Sequence, residues 1–369
     1  MNKKNIFKNI EWSILICVII LIIIGCIALF SATQSTEHEE LIKQLIWLGI
    51  SIPIIITVIL VDYELIVKFA PIGYGIMLIL LVAVLFTHPI NGATSWFSIG
   101  SFSIQPAEFA KIFVILTLAL VISKIQEKGV EELSVPWKLG LSLLVVVVPV
   151  LLIVRQPDYG TAIAFVIATI FMLFAAGIKK KYIIVSLITA AIVLPVLYLY
   201  VLPEHAKTRI DVFLNPDLDP RGSGYNILQS KLAIGSGQLL GMGVTQGNQT
   251  QLGYLYPKTT DFIFSVIGEE MGFIVAGLII VLYVILITKI IYIAKTAKDD
   301  KGAYLTIGIA GIFAFHMVEN IGMTMGLLPI TGVPLPFVSY GGSSLLTNLV
   351  LIGLVLNVSG RRKKSLFIR

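Results

Sequence analysis

The sequence predicts an all-α integral membrane protein: ten transmembrane helices, both termini cytoplasmic, and a large extracytoplasmic loop between helices seven and eight. Three observations predict it. Hydrophobic residues make up 57% of the 369 residues and charged residues only 13%, with a mean hydropathy of +0.95, a balance far from that of soluble domains. Apolar runs of about 20 residues, enough to cross a hydrocarbon core of about 30 Å, recur from end to end. Basic residues gather on one side of the resulting alternation.

The first span, 14–30, follows the basic segment "MNKKNIFKN", a start-transfer signal that stays attached. Its Cys17 and Cys26 are nine residues apart, about 13.5 Å along a helix, too far for a disulfide. "IIIGC" resembles a lipoprotein processing site, but helix packing is the preferred reading in so Ile-rich a segment. Spans two to six fall at 44–61, 69–87, 107–123, 139–154 and 160–176. Spans seven to ten fall at 182–201, 262–287, 303–327 and 342–358, and the fourth and tenth have polar edges.

Ten spans put both termini on one side, together with Lys68, the loop 124–138, "KKK" at 179–181 and the segment 289–301. Those segments hold 19 of the 27 Lys and Arg, which makes their side cytoplasmic. The net charge of +6 then reflects topology first and anionic headgroups second. No basic soluble face carries interleaved aromatics, which excludes nucleic acid as a partner.

The chain reads as a single polytopic domain, 1–369, without the internal repeat of many transporters. Its long connection, 202–260, contains "YNILQSKLAIGSGQLLGMG", in which Ile227, Leu228, Leu232, Ile234 and Leu239 have helix-like spacing. That pattern predicts helices lying in the membrane interface.

Four polar motifs open on the extracytoplasmic side: "NGATSWFSIGSFSIQPAEFAK" (91–111), "RQPDYGT" (155–161), "TTD" (259–261) and "LPITGVPLPFVSYGGSS" (328–344). Their convergence predicts one site on loops over a helical scaffold. Carboxylates in spans cost roughly 2.5 to 3.5 kcal/mol even on lenient insertion scales, so those of "TTDFIFSVIGEE" need a reason. Asp261, at the first turn of span eight, is either a general base facing external water or a helix cap. Glu269 and Glu270 read as structural, either protonated or paired with a buried cation such as Lys111.

Glu108 and Lys111 are spaced i, i+3 after Pro106, for mutual neutralisation or for a cavity-facing role. Asp158 either caps span six or pairs with Arg155 at a cavity rim. Trp96 is an interfacial aromatic or a sugar-stacking one. Pro334, Pro336, Gly341 and Gly342 predict an irregular re-entrant segment that brings Ser339 and Ser343 near the site. The four histidines and two cysteines lack metal-ligand spacing, so no metal ligand is assigned.

These motifs, with "RIDVFLNPDLDPRGSGYNILQSKLAIGSGQLLGMG", "QTQLGYLYPKTTDFIFSVIGEEMG" and "NIGMTMGLLPITGVPLPFVSYGGSSLL", resemble the SEDS family (shape, elongation, division and sporulation) across essentially the whole chain. "NIGMT" and "TQLGYLYPKTTDFIF" are closer to its RodA type than to its division type. The resemblance implies a peptidoglycan glycosyltransferase in the bacterial plasma membrane, polymerising lipid II on the outer face for cell elongation and rod shape. It implies that Asp261 deprotonates the acceptor sugar hydroxyl in an inverting transfer. The leaving diphosphate needs positive charge, with Arg209 and Lys111 the first candidates and Arg221 and Arg155 next. A divalent cation, Mg or Mn, would assist, although no ligand set in the sequence demands one.

Family members often carry basic residues just before the tryptophan, whereas Thr94 and Ser95 stand there in this chain. The expected partners are a class B penicillin-binding protein that supplies transpeptidase activity and other elongation-complex membrane proteins. The alternative functions are a lipid II flippase, which needs a polar path to the cytoplasm, and a non-catalytic scaffold.

Overall fold

The computed structural model describes residues 9–88, 94–100, 102–201 and 204–362. The basic head at 1–8, most of the basic tail and positions 91–93 and 101 of the motif 91–111 lie outside the described residues. In chain order the helices are α1 (Trp12–Ala32), α2 (Glu39–Leu60), α3 (Tyr63–Val84), α4 (Pro106–Gln126), α5 (Pro136–Val154), α6 (Tyr159–Ala175) and α7 (Lys180–Val196). The connection to the next long helix contains α8 (Glu204–Leu214), α9 (Ser223–Ser236) and the single turn α10 (Asn248–Gln251). Then come α11 (Ile263–Lys295), α12 (Asp300–Thr324) and α13 (Gly342–Arg361).

A long helix therefore stands at each of the ten places where hydropathy predicts a span. Eight are long and apolar enough to cross a membrane, which makes this a multi-pass membrane protein. The other two are α6, which has only 17 residues, and α4, which carries Glu108, Lys111 and Lys124. A short hairpin precedes α4, with β1 (Phe97–Ile99) antiparallel to β2 (Phe102–Ile104) and Phe97 opposite Ile104. The loop reading of 91–111 lacked it.

The two least apolar of the eight windows, in α12 and α13, are the two most buried. The most apolar window, in α1 (hydropathy 3.3), is 44% buried, whereas that of α13 (hydropathy 1.6) is 89% buried. A helix facing lipid must be apolar all along its outer surface, while an enclosed helix can carry side chains that bond to its neighbours. At the far end of α13, Arg361 donates to the carbonyls of Ile59 (3.2 Å) and Leu60 (3.1 Å), closing the C-terminus of α2 with a cation. Glu11 meets both Lys289 (3.1 Å) and Arg362 (2.9 Å), tying the start of the bundle to its end.

The eighth span is not one continuous helix. Gly272 has φ 75° and ψ −177° and breaks α11, which stops the carbonyls and amides around it from pairing within the helix. Residues 238–243 fill the gap. Met242 and Gly243 donate backbone N–H groups to the carbonyls of Glu269 (2.9 Å) and Glu270 (3.0 Å), and the amides of Phe273 and Ile274 donate to Gln238 (2.8 Å) and Leu239 (3.2 Å). A Cβ on Gly241 would lie 2.2 Å from the Glu270 oxygen, so only glycine permits this approach.

Candidate active site

Asp261 lies in the turn before α11 and is half-buried. The N-cap position of α11 belongs to Phe262, with no side-chain cap bond, so the Asp261 carboxylate is not spent on capping that helix. Its backbone, by contrast, is clamped. Asn320 on α12 donates from Nδ2 to the Asp261 carbonyl (3.1 Å) and to the Val333 carbonyl (2.8 Å). The Ser339 hydroxyl donates to the Thr260 carbonyl (2.7 Å) and accepts from the Leu335 amide (2.9 Å), and the Tyr340 amide donates to Thr259 (2.9 Å). The non-helical segment between α12 and α13 thus fixes the approach to Asp261. A Cβ on Gly332 would stand 3.6 Å from Asp261 Oδ2, which puts the carboxylate against this segment.

Electrostatics around Asp261 oppose each other. Burial pushes its carboxyl above the usual aspartate range, while a hydrogen bond from Thr260 and the charge of Arg209 pull it down. Arg209 on α8 is exposed, and its Nη1 reaches the Ile330 carbonyl at 3.5 Å. It is thus an exposed cation at the mouth of the site, whose guanidinium end touches the loop between α12 and α13.

Asp158 is the N-cap of α6. Its Oδ1 accepts from the Thr161 amide (3.1 Å) and its Oδ2 from Gln105 Nε2 (2.6 Å), and burial raises its carboxyl. The capping reading describes it, and no ion pair with Arg155 forms among the described residues. Gln105 immediately precedes α4, so this bond ties the start of α4 to the start of α6. A Cβ on Gly160 would meet Val333 Cγ2 at 2.3 Å, which brings "RQPDYGT" against the same segment that clamps Asp261.

One turn into α4, Lys111 and Glu108 form a fully buried ion pair at 2.8 Å. Thr347 on α13 donates to the same Glu108 carboxylate at 3.0 Å. His316 on α12 donates Nδ1–H to the Pro334 carbonyl (3.1 Å) and keeps Nε2 buried without a hydrogen-bond partner among the described residues. Glu319, three residues on, accepts from Thr331 at 2.7 Å. Residues 316, 319 and 320 share one helix face by spacing, a signal present in the sequence but not used to select them for the site. Gln105 was missed because nothing in its local sequence announces a partner 53 residues away.

Glu269 and Glu270 do not pair with Lys111, whose partner is Glu108. Glu269 accepts from the amides of Gln249 (2.7 Å) and Thr250 (3.0 Å) and from the Thr250 hydroxyl (2.7 Å). Glu270 accepts from the Gly247 amide (3.3 Å) and from Gln251 Nε2 (2.9 Å). The two carboxylates bind the orphan amides at the start of α10 and hold the long connection onto α11.

The remaining candidates are more dispersed. Arg155 closes α5 and Arg221 lies between α8 and α9, both exposed and without an ion pair among the described residues. Trp96 is partly exposed just before β1, where its carbonyl accepts from Thr87 at 3.4 Å. Ser95, just before it, donates to the Gln156 carbonyl at 3.1 Å. Ser343 is buried on α13, one turn before Thr347, and its hydroxyl has no partner among the described residues. No three His, Cys, Asp or Glu side chains converge as a metal-ligand group among the described residues.

The family described as "Cell cycle protein" (FtsW, RodA, SpoVE) matches residues 11–364. Peptidoglycan glycosyltransferase MrdB of Escherichia coli K12 is 34% identical, over 98% of this chain and 97% of that protein. "Probable peptidoglycan glycosyltransferase FtsW" of Trichlorobacter lovleyi is 38% identical, over 97% and 95%. A chain in the structure of a peptidoglycan synthase complex, described for its coordination of polymerization and crosslinking, superposes with a TM-score of 0.82 at 27% identity, covering 95% of this chain and 97% of that one.

Proposed function

This chain belongs to the FtsW, RodA and SpoVE family of cell cycle proteins, and from that premise we propose that it is a peptidoglycan glycosyltransferase that polymerises lipid II on the outer face of the bacterial plasma membrane. The observation that carries the reading is the Asp261 carboxylate, left free of helix capping while its backbone is clamped by Asn320 and the Ser339 segment. A general base needs this combination of a fixed position and a carboxylate that no helix cap claims. The orientation is ten spans with both termini cytoplasmic, which puts the four polar motifs and Asp261 outside.

Asp261 takes the proton from the acceptor sugar hydroxyl. That oxygen forms the new bond at the anomeric carbon of the growing strand, with inversion, and undecaprenyl diphosphate leaves with the bonding pair. Arg209 faces the developing charge on the diphosphate, where fixed cations act most strongly. Lys111, fully buried and matched to Glu108, orders the floor of the site. Mg2+ is commonly held by one or two carboxylates together with substrate phosphates. A divalent cation at the diphosphate would therefore take few ligands from this chain. Partly exposed Trp96 lines the approach of the disaccharide, and Ser343 lies buried on α13.

A class B penicillin-binding protein supplies cross-linking in trans, and the likeness to a chain of a synthase complex supports that pairing. The work is cell elongation, for which the RodA-type motifs speak. Polymer formation from purified lipid II by the complex with its cognate transpeptidase, wild type beside Asp261→Asn, tests the reading. Strands from the wild type and none from a folded, partner-bound variant are expected. A validated wild-type complex that makes no strands sinks it and leaves lipid transport as the leading function.

A further inference from the structure

At the end of the bundle opposite Asp261, α3, α4 and α12 enclose a hollow of about 500 Å³ that the proposed chemistry does not use. Three lysines line it, Lys68, Lys124 and Lys301, beside two carboxylates, Asp62 and Glu64. The carboxylates are already engaged. Glu64 pairs with Lys298 at 2.7 Å and Asp62 with Arg361 at 3.4 Å. No carboxylate within ion-pair distance remains for the three lysines among the described residues. Lys301 sits in the first turn of α12, directly after Asp300 and two residues after the N-cap Asp299, whose carboxylate is engaged by the Gly302 amide at 2.8 Å.

The hollow has an apolar exit. Leu65 lines it and begins a row of exposed side chains on α3: Leu65, Phe69, Ile72, Ile76 and Ile79, between 49% and 69% exposed. Their spacing of four and three residues places them on one helix face, which runs from the hollow into the hydrocarbon layer. A cationic recess that opens onto an apolar stripe matches an amphiphile with an anionic head and acyl chains. A small soluble phosphate would use the recess and leave the stripe unused.

We infer that this hollow binds the phosphate headgroup of an anionic phospholipid of the inner leaflet, with Lys68, Lys124 and Lys301 around the phosphate and an acyl chain along the α3 stripe. The leaflet rests on the membrane orientation proposed above; the site itself does not. Basic recesses between helices at the cytoplasmic surface are suited to such headgroups.

The test is native mass spectrometry of the full chain released from nanodiscs that contain phosphatidylglycerol or phosphatidylcholine. The wild type is expected to retain one phosphatidylglycerol and no phosphatidylcholine. Lys68→Gln/Lys124→Gln/Lys301→Gln should retain it about a hundredfold more weakly. A charge-matched control, Lys128→Gln/Lys180→Gln/Lys295→Gln, should behave as wild type. Ile72→Ser, on an exposed position that does not endanger folding, should weaken the long-chain lipid and leave a dihexanoyl analogue unaffected. Equal retention by the triple variant, or equal loss in the control, overturns the site. Displacement of the lipid by millimolar inorganic phosphate reassigns the recess to a soluble anion and overturns the lipid. Binding in symmetric nanodiscs is independent of orientation, so an error in topology would appear separately in reporter fusions.

Discussion

The hydroxyl of Ser339 donates to the carbonyl of Thr260 at 2.7 Å while accepting from the buried amide of Leu335 at 2.9 Å. One side chain therefore joins the segment between α12 and α13 to the residue before the proposed base. Ser339→Ala removes both bonds and leaves the Leu335 amide without its partner, a cost of about 1 to 3 kcal/mol. The expected result is a lower melting temperature and a kcat reduced more than KM is raised, measured on lipid II polymerisation. Unchanged kcat would mean that the clamp serves folding alone.

Asp261→Asn should abolish polymerisation without destabilising the protein. Burial raises the Asp261 carboxyl above its unfolded value, so the native state holds the proton more tightly than the unfolded chain does. Its contribution to stability is therefore greatest at low pH and falls as pH rises through the raised value. An uncharged asparagine escapes that penalty. Thermal unfolding at neutral pH should show the variant at least as stable as wild type. The wild-type rate should fall as pH drops through the same window, because the base becomes protonated. An inactive variant that is also strongly destabilised would point to a structural role.

Much of this arrangement is legible in the sequence, for a physical reason. Lipid contact forces long apolar runs, so the ten long helices announce themselves by composition. Asp261, Asp158, Ser339 and the Glu108–Lys111 pair stand out because polar groups are rare beside such runs. What cannot be read is which polar groups meet. Gln105 and Asp158 are 53 residues apart, and Glu269 finds the amides of Gln249 and Thr250 where the sequence offered Lys111 as a partner. Backbone amides carry no sequence signature as partners. The closure of 238–243 onto the break in α11 is hidden for the same reason, although its glycines mark the place.

The Glu108–Lys111 pair predicts a non-additive double variant. Removing one member of a buried pair leaves an uncompensated charge and costs about 3 to 5 kcal/mol. Glu108→Gln and Lys111→Met should therefore each lower the melting temperature sharply, and Glu108→Gln/Lys111→Met should recover much of the loss. If stability recovers but polymerisation does not, the charges serve chemistry as well as packing. Additive losses in the double variant would contradict the pairing.

Arg209→Ala should separate charge from structure in the opposite way. The side chain is exposed, and its one hydrogen bond among the described residues is a long 3.5 Å contact to the Ile330 carbonyl. Stability should change by less than about 0.5 kcal/mol, as for most surface substitutions. Strand synthesis should fall by at least tenfold if the guanidinium meets the leaving diphosphate, with Arg209→Lys recovering part of it. Full activity in Arg209→Ala would remove this residue from the site.

The contact between Gly241 and the α11 break gives the strongest structural prediction. Gly241 has φ 83°, and a Cβ there would lie 2.2 Å from the Glu270 oxygen. Alanine is opposed both by the left-handed backbone, at roughly 1 to 2 kcal/mol, and by overlap with backbone that has no rotamer to yield, at about 1 to 3 kcal/mol. The strap 238–243 must then withdraw, exposing the carbonyls of Glu269 and Glu270 and the amides of Phe273 and Ile274 that it had satisfied. Hydrogen exchange should rise at Met242, Gly243, Phe273 and Ile274 in Gly241→Ala and remain low in Gly235→Ala, where the added methyl meets open space. Protection equal to wild type in both variants would show that the strap tolerates a side chain and that the close approach is not obligatory.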